Sequence, residues 1–237
     1  VYTPDEAAAR ALGAWSCLPL ITGRDGALHL SAFRLTLSGD AGEALTFGDS
    51  DAALFVLTGQ AAVTLAGRRF DVTPETGVYV RPGETVAVFS TGDVPLSLVV
   101  AICPIGPEPA LADTDGALFD ESRPARTVPV DKARRAAMAD RFYQVLVGEP
   151  TGSDQVTQFL GEIPRSRAAG HRHLYEEGIM ILSGEGYLWT EQARAAVQPG
   201  DMIFLPMRQV HSLECTDPGG MRLMGVFYPA GSPAINY

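Results

Sequence analysis

The chain has 237 residues, 46% of them hydrophobic and 19% charged, with a formal net charge of −10 and a pI near 4.8. So acidic a chain offers no basic face to neutralise phosphates, which argues against nucleic acid as a partner. No apolar run approaches the roughly 20 residues that cross a bilayer as a helix. Gly 25 and Pro 17 favour turns and short strands, so an all-β class is expected, and the length allows two domains of ordinary size.

The opening VYTPDEAAARALGAW carries neither a basic nor an apolar leader pattern. The expected location is therefore cytoplasmic, with a small-molecule substrate as partner and no membrane. A strand is predicted over Leu28–Leu37, then a strand, turn and strand series over Leu54–Gly83, then an apolar exit strand over Leu96–Ile102. These make an N-terminal domain over 1–103. Residues 104–131, rich in Pro, Asp and Gly without a sustained period, are expected to connect it to the second domain. Lys132–Gly148 is expected to mix one short helix with a strand entering the C-terminal domain, 132–237, and its Arg134-Arg135 pair to lie on a solvated face.

The same series then repeats. A strand over Gln155–Ile163 precedes Ile179–Pro206, which echoes Leu54–Gly83 from its Ser-Gly turn to its closing Pro, and Arg222–Tyr228 forms the second exit strand. Six or seven strands per half fit a small antiparallel barrel or jelly roll, and the chain reads as a tandem duplication. Cys17, Cys103 and Cys215 are odd in number and never in a CxxC pair, so they are expected to be reduced and structural.

The chemistry concentrates in HRHLYEEGIMILSGEG, 171–186. Side chains alternate along a strand, so His171, His173 and Glu177 share one face, while Glu176 is expected toward solvent, or as a rival ligand if a bulge shifts the register, and Arg172 and Tyr175 are expected to face away. His211, beyond two hairpins and a Pro-containing bend, can return beside them. Three imidazoles and one carboxylate without a thiolate suit Mn, Fe, Ni or Zn and leave positions open for a substrate. Aligning the repeats puts Thr46, Gly48, Ala52 and Ala87 opposite the four ligands, so one divalent ion per chain is expected, in the C-terminal half. His29 is expected to be packed or at the surface.

These residues also carry a resemblance. His171, His173, Glu177 and Gly184 fall on the first cupin motif, and Gly200, Pro206 and His211 on the second. The pattern departs where no Gly lies six positions before His171 and where Cys215 replaces a common Asn. The fold implied is a tandem cupin, or bicupin, of two antiparallel β-barrel domains. VYTPDE, EEGIMILSGEGYLW and VQPGDMIFLPMRQVH together resemble the ureidoglycine aminohydrolase family of ureide catabolism, whose members bind manganese in the C-terminal cupin and release ammonia. In that family the four ligand positions are Glu, His, His and Gln. The resemblance puts manganese first, and the exchange at His171, His173, Glu177 and His211 admits iron, nickel or zinc as well.

The resemblance also implies a Lys on the exit strand, where Tyr228 stands near its place, and a Tyr where Leu188 now stands, with Tyr187 one residue early. Glu162 and Gln209 are candidate polar contacts to a substrate, Arg208 a candidate carboxylate clamp, and Tyr228 a further candidate. A homo-oligomer is expected, joined through strand edges or the apolar interdomain face. A cupin dioxygenase or isomerase, and a non-enzymatic ligand-binding bicupin, remain open alternatives.

Overall fold

A computed structural model describes residues 1–113 and 118–235. Four antiparallel sheets make two jelly-roll barrels, and the chain is an all-β tandem cupin in architecture. The first barrel packs a seven-stranded sheet, in the order Arg10–Leu12, Trp15–Ile21, Ser31–Leu37, Ser97–Cys103, Asp51–Thr58, Thr76–Val80, Thr127–Pro129, against a five-stranded one. The second repeats this with a six-stranded sheet, Ala136–Met138, Arg141–Val147, Thr157–Ile163, Met221–Tyr228, Glu176–Ser183, Met202–Leu205. Facing it is a three-stranded sheet of Arg194–Val197, Gly186–Thr190 and His211–Cys215. No helix among the described residues is long and apolar enough to cross a membrane.

The expected helix in 132–148 is a single 3-10 turn, Lys132–Arg134, followed by a strand hairpin. The segment 104–131 does more than connect, as far as it is described, since 114–117 lie outside the described residues. Ala110–Leu111 pairs with Leu45–Thr46, and Thr127–Pro129 pairs with Thr76–Val80, adding an edge strand to each sheet of the first barrel. Arg135 is tied to Glu162 at 2.6 Å and stacks over Phe142, so the Arg pair is only in part a solvated face. All three cysteines are buried free thiols.

The exit strands read as unbroken apolar runs because both their faces are covered. Val100 and Ile102 point into the first barrel, while Val99 and Ala101 join a third apolar cluster with Leu160, Met180, Met224 and Val226 of the second. The interdomain face proposed above for dimerisation is therefore consumed within the chain. Gly178 permits the approach, since a Cβ there would stand 2.7 Å from Ile21 Cδ1. The duplication is visible in the turns as well: Gly59 and Gly184 both adopt left-handed φ, +79° and +78°, against the start of their exit strands.

Glu176 is a correction to the sequence expectation. It is 2% exposed and faces the first barrel, where its carboxylate accepts hydrogen bonds from the N–H groups of Leu28 and His29, each at 2.8 Å, and of Leu30 at 3.1 Å. A carboxylate that spans two barrels and satisfies three backbone donors is a cross-domain staple. Glu176→Ala should lower stability by about 3 kcal/mol, at roughly 1.5–3 kcal/mol for each charge-assisted bond less partial recovery by water. In a chain of this size that is a fall in Tm of about 6–12 °C, read by calorimetry, and a shift under about 2 °C would show that the staple carries no weight.

Candidate metal centre

His171, His173 and His211 come together although only His211 lies in a strand, as the first residue of His211–Cys215. Residues 171–175 form an irregular approach to Glu176–Ser183, pinned by a two-way backbone bridge between His171 and His211 at 3.0 and 2.8 Å. One nitrogen of each ring lies within 4.8 Å of the others, the one such group of three among the described residues. An ion about 2.1 Å from each nitrogen would hold the three about 3.0–3.6 Å apart, an inward shift of at most about 1 Å per ring. Glu177 completes the set from the inward face of its strand, with Oε2 3.4 Å from His173 Nε2.

The surrounding backbone aims the rings. His171 Nδ1 lies 2.9 Å from Ala169 O and His211 Nδ1 2.9 Å from Gln209 O. A carbonyl can only accept, so both Nδ1 atoms carry the proton and both Nε2 lone pairs are left for an ion. His173 is held by its ring, stacked on Tyr175 at 4.8 Å, which in turn stacks on Phe227 at 4.2 Å. Tyr175 thus corrects the expectation that it faces away: it shares the odd-numbered face with the ligands, whereas Arg172 is exposed as expected.

The electrostatics fit a metal. Glu177 is 4% exposed, and its Oε2, like His173 Nδ1, is buried with no partner at hydrogen-bond geometry. Burial pushes the Glu177 carboxyl up to about 8. Burial lowers His173 to about 4, helped by the His211 and His171 rings and opposed by the Ile235 backbone. Burial also lowers His211 to about 4, against the pull of the Gln209 carbonyl and with a smaller push from His171. Without an ion the site therefore rests close to neutral, and a divalent cation supplies the charge that Glu177 needs to ionise.

The four remaining candidates do not reach the centre with their side chains. Arg208 is exposed, and it is its backbone N–H that donates to His173 O at 2.7 Å. Gln209 likewise serves through its carbonyl on His211, its side-chain amide turning to Val210 O. Tyr228 stands opposite Glu176 in the sheet and so faces the first barrel, packed near His29. Glu162 touches the cavity edge, but its carboxylate is held by Arg135 at 2.6 Å and lies 3.8 Å from Arg222. Leu188 lines the cavity and Tyr187 turns outward beneath Arg194, as the register predicted.

A cavity of about 520 Å³ opens over the ligands. Its walls are mainly apolar, with Tyr143, Phe159, Ile163, Leu188, Leu223 and Phe227 among them, and the C-terminal segment contributes Pro233, held near Ser232 O by the Tyr175 hydroxyl at 3.4 Å. Asn236 and Tyr237 lie outside the described residues. The sequence analysis missed Arg141, a buried cation on this wall that donates to Leu213 O at 2.8 Å. Its signal was weak, a single Arg after a two-residue turn at a position whose inward parity nothing announced.

In the first barrel Leu65 pairs with Val86 and Val86 with Leu45, where the second pairs Thr190 with His211 and His211 with His171. The residues opposite His211 and His171 are thus Val86 and Leu45, one position from the Ala87 and Thr46 of the sequence alignment. With Ala52 opposite Glu177, all three are buried in apolar core. No metal-binding group stands there.

Residues 162–227 match the family described as Cupin domain. No curated protein matches the chain in sequence. Among solved structures it is similar to oxalate decarboxylase from Bacillus subtilis at pH 4.6, with TM-score 0.73 and 14% identity over 96% of this chain and 75% of that one. A serine-to-alanine mutant of that enzyme gives 0.77 and 13% over 98% and 78%. A structure of it concerned with its Mn(II) centres gives 0.75 and 13% over 98% and 78%. At these identities the likeness shows the fold, and together with the family match it places the chain's architecture among the cupins.

Two measurements test the centre. Metal analysis after reloading should give one equivalent per chain. His173→Ala should lose it by more than the roughly 10- to 100-fold that removal of an outer partner costs, while His29→Ala should keep it; equal loss in both would refute the assignment. Metal affinity should also climb with pH up to about 8 and then level, because the ion displaces the Glu177 proton, and Glu177→Gln should flatten that slope. In the metal-free protein, Glu177, raised above its ordinary value, favours folding at low pH and loses that contribution as pH rises through about 8. The two depressed histidines contribute above about 6.5 and lose it as pH falls through about 4.

Proposed function

We propose that the second barrel is the site of a metal-dependent enzyme, with one divalent ion held by His171, His173, Glu177 and His211, acting on a small amino-acid-like or ureido substrate with release of ammonia. The observation that carries the metal part is the buried Glu177 carboxylate, its Oε2 without a hydrogen-bond partner, beside three imidazoles with one nitrogen each within 4.8 Å of the others. The reaction class rests on the resemblance to ureidoglycine aminohydrolases. Manganese is the first ion to load, being the ion of that family and of the centres named for the decarboxylase of similar fold.

When bound, the ion would supply Lewis-acid stabilisation of charge developing on the substrate. The rest is the work of the chain. Bridges to Ala169 and Gln209 fix two rings before substrate arrives, and the Tyr175 and Phe227 stack fixes the third. The mainly apolar walls lower the local dielectric, which strengthens electrostatic contacts inside the cavity, while its open mouth leaves access for the water that replaces the ammonia. We also propose a cytoplasmic, homo-oligomeric protein, on composition and on the habit of folds with exposed sheet edges.

A dioxygenase is the second reading, favoured by one observation: the cavity walls are apolar and aromatic, whereas ureidoglycine is polar throughout. The deciding experiment follows ammonia release from fresh ureidoglycine by manganese-loaded protein above the protein-free background, with chiral analysis of the product and oxalate as a control substrate. Stereospecific, metal-dependent release is the expected result. A flat trace from protein holding one manganese overturns the reaction class, and oxygen uptake by the iron-loaded protein would then favour the second reading.

A further inference from the structure

Arg141 is 7% exposed, on a wall of the cavity, and its one hydrogen bond within 3.5 Å goes to a neutral group, Leu213 O at 2.8 Å. The carboxylate nearest to it, Asp140, lies 3.8 Å away and is about half exposed at the mouth. A guanidinium presents five donors, so a buried one with a single carbonyl partner is a poorly compensated charge. Of the other carboxylates on the cavity wall, Glu162 is engaged by arginines and Glu177 belongs to the metal set, so among the described residues the half-exposed Asp140 is the one anion set against it, without a hydrogen bond. An ion at the centre makes the cavity more positive still.

Position gives this charge a use. Leu213 lies two residues beyond His211, about 7 Å along the same strand, so the Arg141 guanidinium is tied to the backbone of the strand that carries a candidate ligand. Apolar side chains, Tyr143, Phe159, Leu188 and Leu223 among them, line the cavity that both share. Arg141 and Tyr143 enter it from alternate positions of one strand, Arg141–Val147.

We infer that this cavity takes a carboxylate with an apolar or aromatic body, its carboxylate on the Arg141 guanidinium and a ligating oxygen or nitrogen at the metal centre. The inference rests on the metal-dependent site proposed above but not on ammonia release, since it names the substrate class and leaves the reaction open. A planar guanidinium with free donors matches a carboxylate in shape as well as charge. The apolar span between the two polar ends rejects short dianions and fully polar substrates, which would leave that wall unfilled and their own groups unpaired.

The test is a binding measurement that needs no knowledge of the reaction. Manganese-loaded protein is titrated calorimetrically with 3-(4-hydroxyphenyl)propionate and with its neutral amide, and broadening of the probe's proton resonances by the manganese shows whether it sits in the cavity. The acid should bind at least about tenfold more tightly than the amide, the worth of one charge-assisted hydrogen bond. Arg141→Met should bring the ratio close to one with the amide's affinity little changed, and Arg141→Lys should keep part of the preference. Equal binding of acid and amide, no broadening, or a preference that survives Arg141→Met overturns the inference. Should the Met variant fail to fold, the wild-type ratio and the Lys variant decide. Metal-free His173→Ala separates the two proposals: a carboxylate preference that persists there upholds Arg141 even if the metal reading fails, and manganese retained without any preference does the reverse.

Discussion

Two adjacent carboxylates on one strand must point to opposite faces, and here both faces are buried. Glu176 turns outward from the second barrel and closes on three backbone donors of the first, while Glu177 turns inward to three histidines. The strand that holds them is pressed between its neighbours on either side and cannot slip by one residue without exchanging a staple for a ligand. The register that joins the two barrels is thus the register that builds the centre. This gives the first barrel a role despite its lack of ligands: it fixes the outer face of the strand whose inner face carries the chemistry.

The two barrels share strand order and differ in what fills them. Leu45, Ala52 and Val86 close the interior of the first, together with large side chains such as Trp15 and Phe33. At the corresponding places in the second, His171, Glu177 and His211 border open volume. Apolar side chains in the first interior are stabilised by burial alone, whereas the polar set in the second leaves a carboxylate and an imidazole nitrogen unsatisfied. A cation beside Glu177 would repair the carboxylate's share of that deficit, so the second barrel trades stability for a candidate site.

The fold was legible because duplication prints itself twice, in matched glycine turns and matched apolar strands. The convergence of the four candidate ligands was legible because an H-x-H pair, a carboxylate and a distant histidine sit at spacings that a random scatter of four histidines would not produce. The remaining site residues were not, for one physical reason. Strands such as Thr157–Ile163 and Met221–Tyr228 are covered on both faces, one by the barrel interior and one by the other barrel, so hydrophobic alternation no longer tells inside from outside. Tyr228 was therefore assigned to the site although it turns to the opposite face, Glu162 reaches only the cavity edge with its carboxylate held by arginines, and Arg141 was overlooked although it lines the wall. Arg208 and Gln209 fell near the centre as expected, but it is their backbone that acts, which side-chain chemistry read from a sequence does not reveal.

Charge ties these parts together. At neutral pH and without an ion, burial holds Glu177 protonated and His173 and His211 neutral, so Arg141 is the one buried formal charge on the cavity wall. Binding a divalent cation ionises Glu177 and leaves a surplus of positive charge at the ligand end, with a second positive charge at Leu213. A low-dielectric cavity with two separated positive poles is balanced by a molecule that brings negative charge or lone pairs to both ends and apolar surface to the middle. On the proposals above, the same apolar walls that raise Glu177 and lower the histidines would also select the substrate, and metal loading, ionisation of Glu177 and admission of an anion would be successive steps of one electrostatic balance.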